Sequence, residues 1–467
     1  MNLLSSLRRA LLLLLAPLAL YTPPALAHLG FPDTTSVTIR RGHPEDMFLG
    51  ATFGALISRD TGKTWRWICP ESMKYGGWRP ETFFWQPDGT LIAATGAALI
   101  RSTDGGCTWS VHDYFKSQNL WPMGLASPPS TPSRLWVTTG RSASRNGIYR
   151  SDDGGQTFTP VLQSDTAVFT AVKVAPSDTR RIYVSGGTAT NLRLYRSDDE
   201  GSTWEEISHP FPEYSEGSRP YDLFVLKVSD TDPDRLWARV SWQGWTYVLE
   251  SKDGGRTFTS VVHPEGEEHD GLSEYLIGIE VSADGNTLWA ATHTRLFRVR
   301  AGESRATQLP LPDGNACAQR EGDVLYVCGA SRLHDWALAT TADEGQTYTA
   351  LFNLPDTKPP ACPAGTPTHD ICRPYWPQFA PTIEADPYLS PEETPPDAGT
   401  PPDGGSPGVE DAGTDIPRPD AGTTDPKPDE PQPPPKKGCS SASGLVPAAC
   451  LLVLSTLRRT RRRNPEN

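Results

Sequence analysis

Six near-copies of one eight-residue stretch recur along this chain. Each follows the pattern Ser/Thr-x-Asp-x-Gly-x-Thr-aromatic, and the copies occupy residues 58–65, 102–109, 151–158, 197–204, 251–258 and 341–348. An Asp at the third position can accept hydrogen bonds from backbone N–H groups a few residues further on, and the Gly supplies the positive φ that a tight turn needs. The stretch therefore predicts a β-hairpin turn closed by a carboxylate, with a buried aromatic side chain starting the next strand.

The spacing of these copies predicts the fold class. Their first residues are separated by 44, 49, 46, 54 and 90 residues, so the last step covers two periods and one copy has been lost near residues 300–305. A period in the forties with four short strands per unit is typical of a β-propeller blade. One strand-like segment per unit, seven in all, is expected at residues 46–51, 90–95, 134–139, 181–185, 235–240, 287–292 and 324–329. We therefore predict an all-β, seven-bladed β-propeller over roughly residues 32–356.

The repeat resembles the Asp-box, or BNR, repeat of sialidase-like propellers in the WD40/YVTN/BNR-like superfamily. The resemblance implies that its carboxylates are structural parts of the turn rather than catalytic acids, because six identical turns cannot all be active sites. These carboxylates belong to Asp60, Asp104, Asp153, Asp199, Asp253 and Asp343.

The N-terminus has the pattern of a secretory signal. Arg8 and Arg9 precede an apolar run over residues 10–20, and Ala25-Leu26-Ala27 forms a small-x-small cleavage site. We expect a signal peptide over residues 1–27, a mature chain from His28 and a propeller domain over residues 28–356. Export places the cysteines in an oxidising compartment, where disulfides persist.

Six of the eight cysteines are disulfide candidates, and the other two, Cys439 and Cys450, lie in the C-terminal tail. The expected pairs are Cys69–Cys107, Cys317–Cys328 and Cys362–Cys372, although six cysteines allow 15 pairings. A metal site is less favoured, because the sequence has neither a Cys-x-x-Cys pair nor clustered histidines. We predict no metal and no cofactor.

The sequence allows two ways in which the first and last blades could be joined to close the ring. Blade 1 already holds four strands of its own. Either closure rests on packing and on the terminal disulfides, or a strand from residues 28–36 or 374–384 completes the last blade.

The chain changes character after the propeller. We expect a Cys-containing extension over residues 357–386 and a disordered stalk over residues 387–437, which are rich in Pro, Asp, Gly and Thr. Residues 438–467 combine Gly438-Cys439, a short apolar run over residues 442–457 and an Arg cluster. This tail resembles the MYXO-CTERM sorting signal. The resemblance implies cleavage near Cys439 and anchoring of that residue at the cell surface or outer membrane; an uncleaved membrane anchor is the alternative.

Net charge limits the partners. The formal charge of −13 disfavours binding to nucleic acid or to anionic lipid through bulk charge. We expect a monomer that meets the membrane only through its C-terminal tail.

A ligand site is expected on the propeller face that carries the blade-linking loops and the loops between second and third strands. Aromatic faces with polar neighbours suit sugar rings or peptide segments. The binding candidates there are Tyr75, Trp78, Arg79, Trp121, Trp242, Trp245, His269, His334 and Trp336, with Arg141, Arg145 and His293 among their charged companions.

The sequence is compatible with three functions. The main prediction is a non-catalytic surface propeller that binds a polysaccharide or a protein, because no catalytic set is recognisable. A sialidase-like or xyloglucanase-like glycoside hydrolase is the first alternative, and it needs two converging carboxylates. Glu267, Glu268 and Asp270 are candidates for them, since they share one inter-blade loop. The second alternative is an assembly or stability factor for envelope proteins.

Overall fold

The computed structural model of the chain describes residues 33–74, 82–188, 191–208, 220, 222–264, 271–311 and 317–388. The chain divides into two units, residues 1–398 and 399–467, and every described residue belongs to the first. The predicted signal peptide, the sorting tail and all but the first two residues of the predicted stalk lie outside the described residues. No helix within the described ranges is long and apolar enough to cross a bilayer.

Seven four-stranded antiparallel sheets confirm the predicted seven-bladed β-propeller. Each sheet is built from four consecutive strands, so each blade is a continuous stretch of chain. The strands are β1–β4 of blade 1 (Thr34–Arg40, His43–Ala51, Gly54–Ser58, Arg66–Ile68), β5–β8 of blade 2 (Thr82–Trp85, Leu91–Ala94, Leu99–Ser102, Ser110–Val111), β9–β12 of blade 3 (Pro122–Ala126, Leu135–Thr139, Asn146–Ser151, Thr159–Ser164), β13–β16 of blade 4 (Val168–Val174, Ile182–Thr188, Asn191–Ser197, Glu205–Ser208), β17–β20 of blade 5 (Asp222–Val228, Leu236–Trp242, Trp245–Ser251, Thr259–Ser260), β21–β24 of blade 6 (Leu276–Val281, Thr287–Thr292, Leu296–Arg300, Thr307–Gln308) and β25–β28 of blade 7 (Cys317–Glu321, Val324–Cys328, Leu338–Thr341, Thr349–Phe352).

Short helices occur in the connections and after blade 7. They are α1 (Asp113–Ser117), α2 (Ser331–His334), a 3₁₀ turn (Leu354–Asp356), a π turn (Thr368–Cys372), α3 (Arg373–Phe379) and a final 3₁₀ turn (Ala380–Ile383).

The first strand of each blade lines the axis of the ring. First strands of neighbouring blades contact each other around the whole circle, and β1 of blade 1 contacts β25 of blade 7. Because the strands are antiparallel, the blade-linking loops and the loops between second and third strands share one face, which we call the top face. The remaining hairpins, including the six repeats, share the opposite rim.

The repeat turn is closed by its hydroxyl and carboxylate. In blade 3 the Ser151 hydroxyl donates to Asp153 Oδ1 at 2.7 Å and accepts from the Gly155 N–H at 2.9 Å, and Gly155 has a φ of 81°. The Thr157 N–H and hydroxyl donate to the two oxygens of Asp153 at 2.9 and 2.6 Å. Burial raises the pKa of Asp153, but these hydrogen bonds outweigh burial and hold its pKa at about 2.

The same hydroxyl and N–H bonds to the carboxylate recur in the five other repeat turns, at Asp60, Asp104, Asp199, Asp253 and Asp343. Blade 6, which lacks the repeat, closes the corresponding hairpin differently. There the Glu303 carboxylate accepts from the Arg300 N–H at 2.9 Å.

Apolar side chains fill the spaces between blades. The buried hydrophobic residues of the described chain form seven clusters, one at each interface between neighbouring blades. The aromatic residue that ends a repeat takes part in this packing: Trp65 of blade 1 lies 5.2 Å from Phe352 of blade 7, centroid to centroid. The core is therefore a ring of interfaces, and each blade depends on two neighbours.

The segment after blade 7 holds the first and last blades together. Lys358 pairs with the outer edge of blade 1 through hydrogen bonds from Trp67 N to Lys358 O (3.0 Å) and from Lys358 N to Trp65 O (2.8 Å). Trp376 is buried in the cluster shared by blades 1 and 7. Closure thus rests on packing and disulfides, because residues 373–379 form helix α3 and no described residue after 352 forms a strand of a blade.

The disulfides correct two of the three predicted pairs. Cys317–Cys328 is confirmed, and it joins the first two strands of blade 7. The other bonds are Cys69–Cys372 and Cys107–Cys362, not Cys69–Cys107 and Cys362–Cys372. The reason is that the chain after blade 7 folds back across blades 1 and 2, which brings together cysteines 303 and 255 residues apart. We call residues 353–388 the strap.

Candidate functional site

Among the residues that the structure describes, three equivalent positions on the top face carry exposed or acidic side chains. Each is the residue immediately before the first strand of its blade, and its carbonyl accepts from an N–H in the loop between the second and third strands. The pairs are Thr52 N to Asp33 O in blade 1 (2.9 Å), Gly140 N to Trp121 O in blade 3 (3.0 Å) and His293 N to Tyr275 O in blade 6 (3.0 Å). We call Asp33, Trp121 and Tyr275 the funnel mouth, since each lies at the top end of the inner ring.

Asp33 is the acid of the funnel mouth. Its backbone is fixed by Thr52, whose hydroxyl accepts from the Asp33 N–H at 3.1 Å. Among the described residues the Asp33 carboxyl has no hydrogen-bond partner, so the charged form gains little stabilisation. Burial raises the pKa of Asp33, and the positive charge of nearby His293 lowers it by less. A carboxyl in such surroundings is suited to donate a proton.

Tyr275 forms an aromatic platform. Its side chain is 55% exposed, and the Arg239 guanidinium lies 4.8 Å from the centre of the ring. Arg239 itself is buried between this ring and Phe224 and donates to Asp222 at 3.3 Å. The Arg239 guanidinium covers one face of the Tyr275 ring, and the rest of the ring is exposed to solvent.

Trp121 forms the second platform. It is 41% exposed, and the Arg141 guanidinium lies 5.4 Å from its ring centre. Both platforms thus pair an exposed ring with an arginine. Rings of this kind stack on the apolar faces of sugars while nearby polar groups meet the hydroxyls.

Glu274 fixes the loop that carries His293. Its carboxylate accepts from the hydroxyls of Thr292 and Thr294 and from Arg295 Nε, each at 2.6 Å. Burial raises the pKa of Glu274, but these hydrogen bonds and the charge of Arg295 outweigh burial and lower it. With its oxygens saturated in this way, Glu274 acts as a positioning residue.

The other aromatic candidates lie deeper. Trp242 and Trp245 face each other across a tight hairpin of blade 5, where both are half-buried against the core between blades 4 and 5. His334 stacks on Trp336 at 4.8 Å, and Trp336 is only 9% exposed. Trp336 therefore belongs to the packing between blades 6 and 7 and presents little surface to a ligand.

Several predicted residues fall outside the described part of the chain. They are the binding candidates Tyr75, Trp78, Arg79 and His269 and the acidic candidates Glu267, Glu268 and Asp270. Within the described ranges, no group of three or more His, Cys, Asp or Glu side chains is arranged to hold a metal ion.

Comparison with known proteins relates this chain to enzymes. A xyloglucanase from a Paenibacillus species is 27% identical over 248 residues, which is 46% of this chain and 24% of that protein. A xyloglucanase of Acetivibrio thermocellus is 36% identical over 267 residues, or 49% of this chain and 31% of that protein. The chain thus spans about a quarter to a third of the relatives it matches. No protein-family model matches it.

The fold comparison agrees with the propeller architecture. The crystal structure of an ancestral GH74 enzyme superposes with a TM-score of 0.52 and 12% identity, over 68% of this chain and 46% of that chain. At this identity the likeness shows a shared fold alone.

The relatives correct the main functional prediction. A non-catalytic binding propeller was expected because no catalytic set was recognisable in the sequence, yet both related proteins are xyloglucanases. That prediction is wrong, and the glycoside hydrolase alternative agrees better with these relationships.

Sequence reasoning also missed two residues of the funnel mouth, Asp33 and Tyr275. Asp33 was hidden because it precedes the first repeat unit. Like Trp121, which was a predicted binding residue, both residues lie immediately before the first strand of a blade. Alignment of the seven blades on their first strands is the signal that identifies all three positions.

Proposed function

We propose that this propeller is a glycoside hydrolase that cleaves a β-glucan of the xyloglucan type at the funnel mouth. The observation that carries the proposal is the similarity to two xyloglucanases over nearly half of the chain. The site adds independent support, since two exposed aromatic platforms and a partly buried acid occupy equivalent positions before the first strands of three blades.

Asp33 is the proposed proton donor. Glycoside hydrolysis needs a carboxylic acid that is still protonated when it meets the glycosidic oxygen, and burial gives Asp33 a raised pKa. Its carboxyl makes no hydrogen bond to a described residue, so its proton is free to transfer.

Asp222 is the proposed second carboxylate. It lies at the start of β17 and binds Arg239, the cation beneath the Tyr275 platform. Its other oxygen accepts from the Ser241 N–H at 2.6 Å. Unlike Glu274, Asp222 therefore keeps acceptor capacity for a water molecule or a sugar carbon next to the platform.

The assay compares reducing ends released by the purified full chain from xyloglucan and mixed-linkage β-glucan, with starch as the α-linked control. Asp33→Asn removes the proton donor and is expected to lower kcat by about 10²–10⁴-fold. Asp113→Asn, an exposed carboxylate on the same face, is the matched control and keeps full activity. If the protein releases reducing ends from none of the β-glucans, the proposed activity is contradicted. If the Asp33→Asn variant is as active as the parent, only the role of Asp33 is contradicted.

We also propose that the enzyme is exported and displayed on the cell surface. The support is the signal-like N-terminus, the three disulfides among the described residues and a tail like the MYXO-CTERM signal. Intact-mass analysis of the protein isolated from its native envelope tests this. A chain that begins at His28 and ends near Cys439 is expected, and one that ends at Asn467 contradicts sorting.

A further inference from the structure

A pocket of about 300 Å³ opens on the top face beside Trp121. It lies between helix α1 and the loop of residues 141–145 in blade 3. Its volume is at the lower end of the range, about 300–1,000 Å³, that is usual for small-ligand sites. The residues that carry the argument are Tyr114, Asn119, Arg141, Arg145, Tyr149 and Gln163.

The charge of this pocket is opposite to that of the chain. Of the described residues, two arginines and no Asp or Glu line it, in a protein with a formal charge of −13. Arg141 donates to the Asn119 carbonyl at 3.3 Å and pairs with no described carboxylate. Asp165 is the one described carboxylate that Arg145 meets, at 3.7 Å, and both side chains are largely exposed. Pairing of this kind is weak, so both guanidinium groups remain available to an anion.

The loop that carries the arginines is held in place from within. The buried Asn146 side chain accepts from the Arg141 N–H at 2.8 Å and donates to the Arg141 and Ser144 carbonyls at 2.8 and 3.0 Å. It also donates to the Ala167 carbonyl of the next blade-linking loop at 3.1 Å. A loop fixed at this many points loses little conformational entropy when a ligand binds.

The remaining lining suits a sugar ring. Tyr114 packs edge-on against Tyr149 at 5.8 Å on one side of the pocket. Tyr149 is buried, so it supports the Tyr114 ring from behind and presents little surface to a ligand. The side-chain amides of Asn119 and Gln163 offer both donors and acceptors, which is what sugar hydroxyls need.

We propose that this pocket binds the carboxylate of a hexuronate residue in a polysaccharide. Arginine forks match the planar geometry of a carboxylate, which a neutral sugar lacks. The amides and Tyr114 would meet the ring hydroxyls. The site goes beyond the proposed hydrolysis, because it needs no turnover and its ligand class is acidic rather than neutral.

Calorimetric titration of the full chain with a tetragalacturonate, and with cellotetraose as the neutral match, tests this proposal. We expect binding of the tetrauronate alone, weakening as salt is raised. The double variant Arg141→Gln/Arg145→Gln should lose at least about tenfold in affinity, since two charge-assisted contacts disappear. Arg180→Gln removes an equally exposed charge from the opposite rim and should change nothing.

Other ligands and folding are controlled in the same experiment. Equal binding of cellotetraose overturns the role of the carboxylate, and equal binding of inorganic phosphate or of tetraglutamate overturns the assignment to a sugar. Tetrauronate binding that survives the double variant, with the same melting temperature as the parent, overturns the assignment to this pocket. The Asp33→Asn variant should bind the tetrauronate as the parent does. The binding result can therefore be interpreted even if the hydrolase proposal fails.

Discussion

Ser151 and Thr157 both bind the carboxylate of Asp153, but at different depths in the repeat turn. Ser151 is 1% exposed and its hydroxyl also accepts from the buried N–H of Gly155, whereas Thr157 lies at the surface. Removal of a buried partner leaves a group unsatisfied, while water replaces an exposed one. The two hydroxyls therefore contribute unequally to stability.

Ser151→Ala is expected to lower the free energy of unfolding by about 1–3 kcal/mol, because the Gly155 N–H loses its partner inside the protein. Thr157→Ala is the matched control and should lower it by less than about 1 kcal/mol. Guanidinium denaturation of both variants measures the difference. Equal losses would contradict the structural role assigned to the hydroxyl at the first position of the repeat.

The pH dependence of activity should depend on Asp33 and His293. A proton donor works in its protonated form, so activity falls as pH rises through the pKa of Asp33, which burial places above its ordinary value. The charge of His293 lowers that pKa, and His293→Asn should therefore move the alkaline limb of the kcat profile to higher pH. His43→Asn, on the opposite rim, is the control. A limb that moves to lower pH, or stays in place, argues against this pairing.

At the scale of elements, the second strand of every blade was predictable and the strap was not. The expected segments at residues 46–51, 134–139 and 287–292 correspond to His43–Ala51, Leu135–Thr139 and Thr287–Thr292. Alternation of apolar residues before a fixed turn is a local signal. The strap has no such pattern: helix α3 contains Pro377, and its main anchors are burial of Trp376 and the disulfides.

The two strap disulfides should matter more than the hairpin disulfide. The quadruple variant Cys69→Ser/Cys372→Ser/Cys107→Ser/Cys362→Ser frees the strap and should lower the free energy of unfolding by more than about 4 kcal/mol, taking about 2–5 for each long-range bond. Cys317→Ser/Cys328→Ser opens a loop with a separation of 11 residues and should lower it by about 2–3 kcal/mol.

Denaturation midpoints and limited proteolysis of the strap distinguish the two disulfide variants. The strap should become protease-sensitive in the quadruple variant and stay protected in the hairpin variant. Equal stability of the two variants, or a strap that stays protected without its bonds, would show that packing alone closes the ring.

At the scale of the whole molecule, the repeat count predicted seven blades, but the assembly of the site depends on contacts between distant residues. Thr34 at the start of blade 1 donates to the Ala337 carbonyl of blade 7 at 2.8 Å, and this contact places Asp33 at the funnel mouth. Asp33 and His293 approach each other only because the ring closes. Local patterns therefore predicted Trp121 as an aromatic residue of the top face, where it is exposed, but they did not predict the position of Asp33.

The central claim is that the funnel mouth binds and cleaves a β-glucan. A crystal structure of the Asp33→Asn variant soaked with a xyloglucan oligosaccharide tests it most directly. We predict sugar rings stacked on Tyr275 and Trp121, with a glycosidic oxygen within hydrogen-bond distance of residue 33. An oligosaccharide bound on the opposite rim, or a funnel mouth left empty at saturating concentration, would contradict the claim.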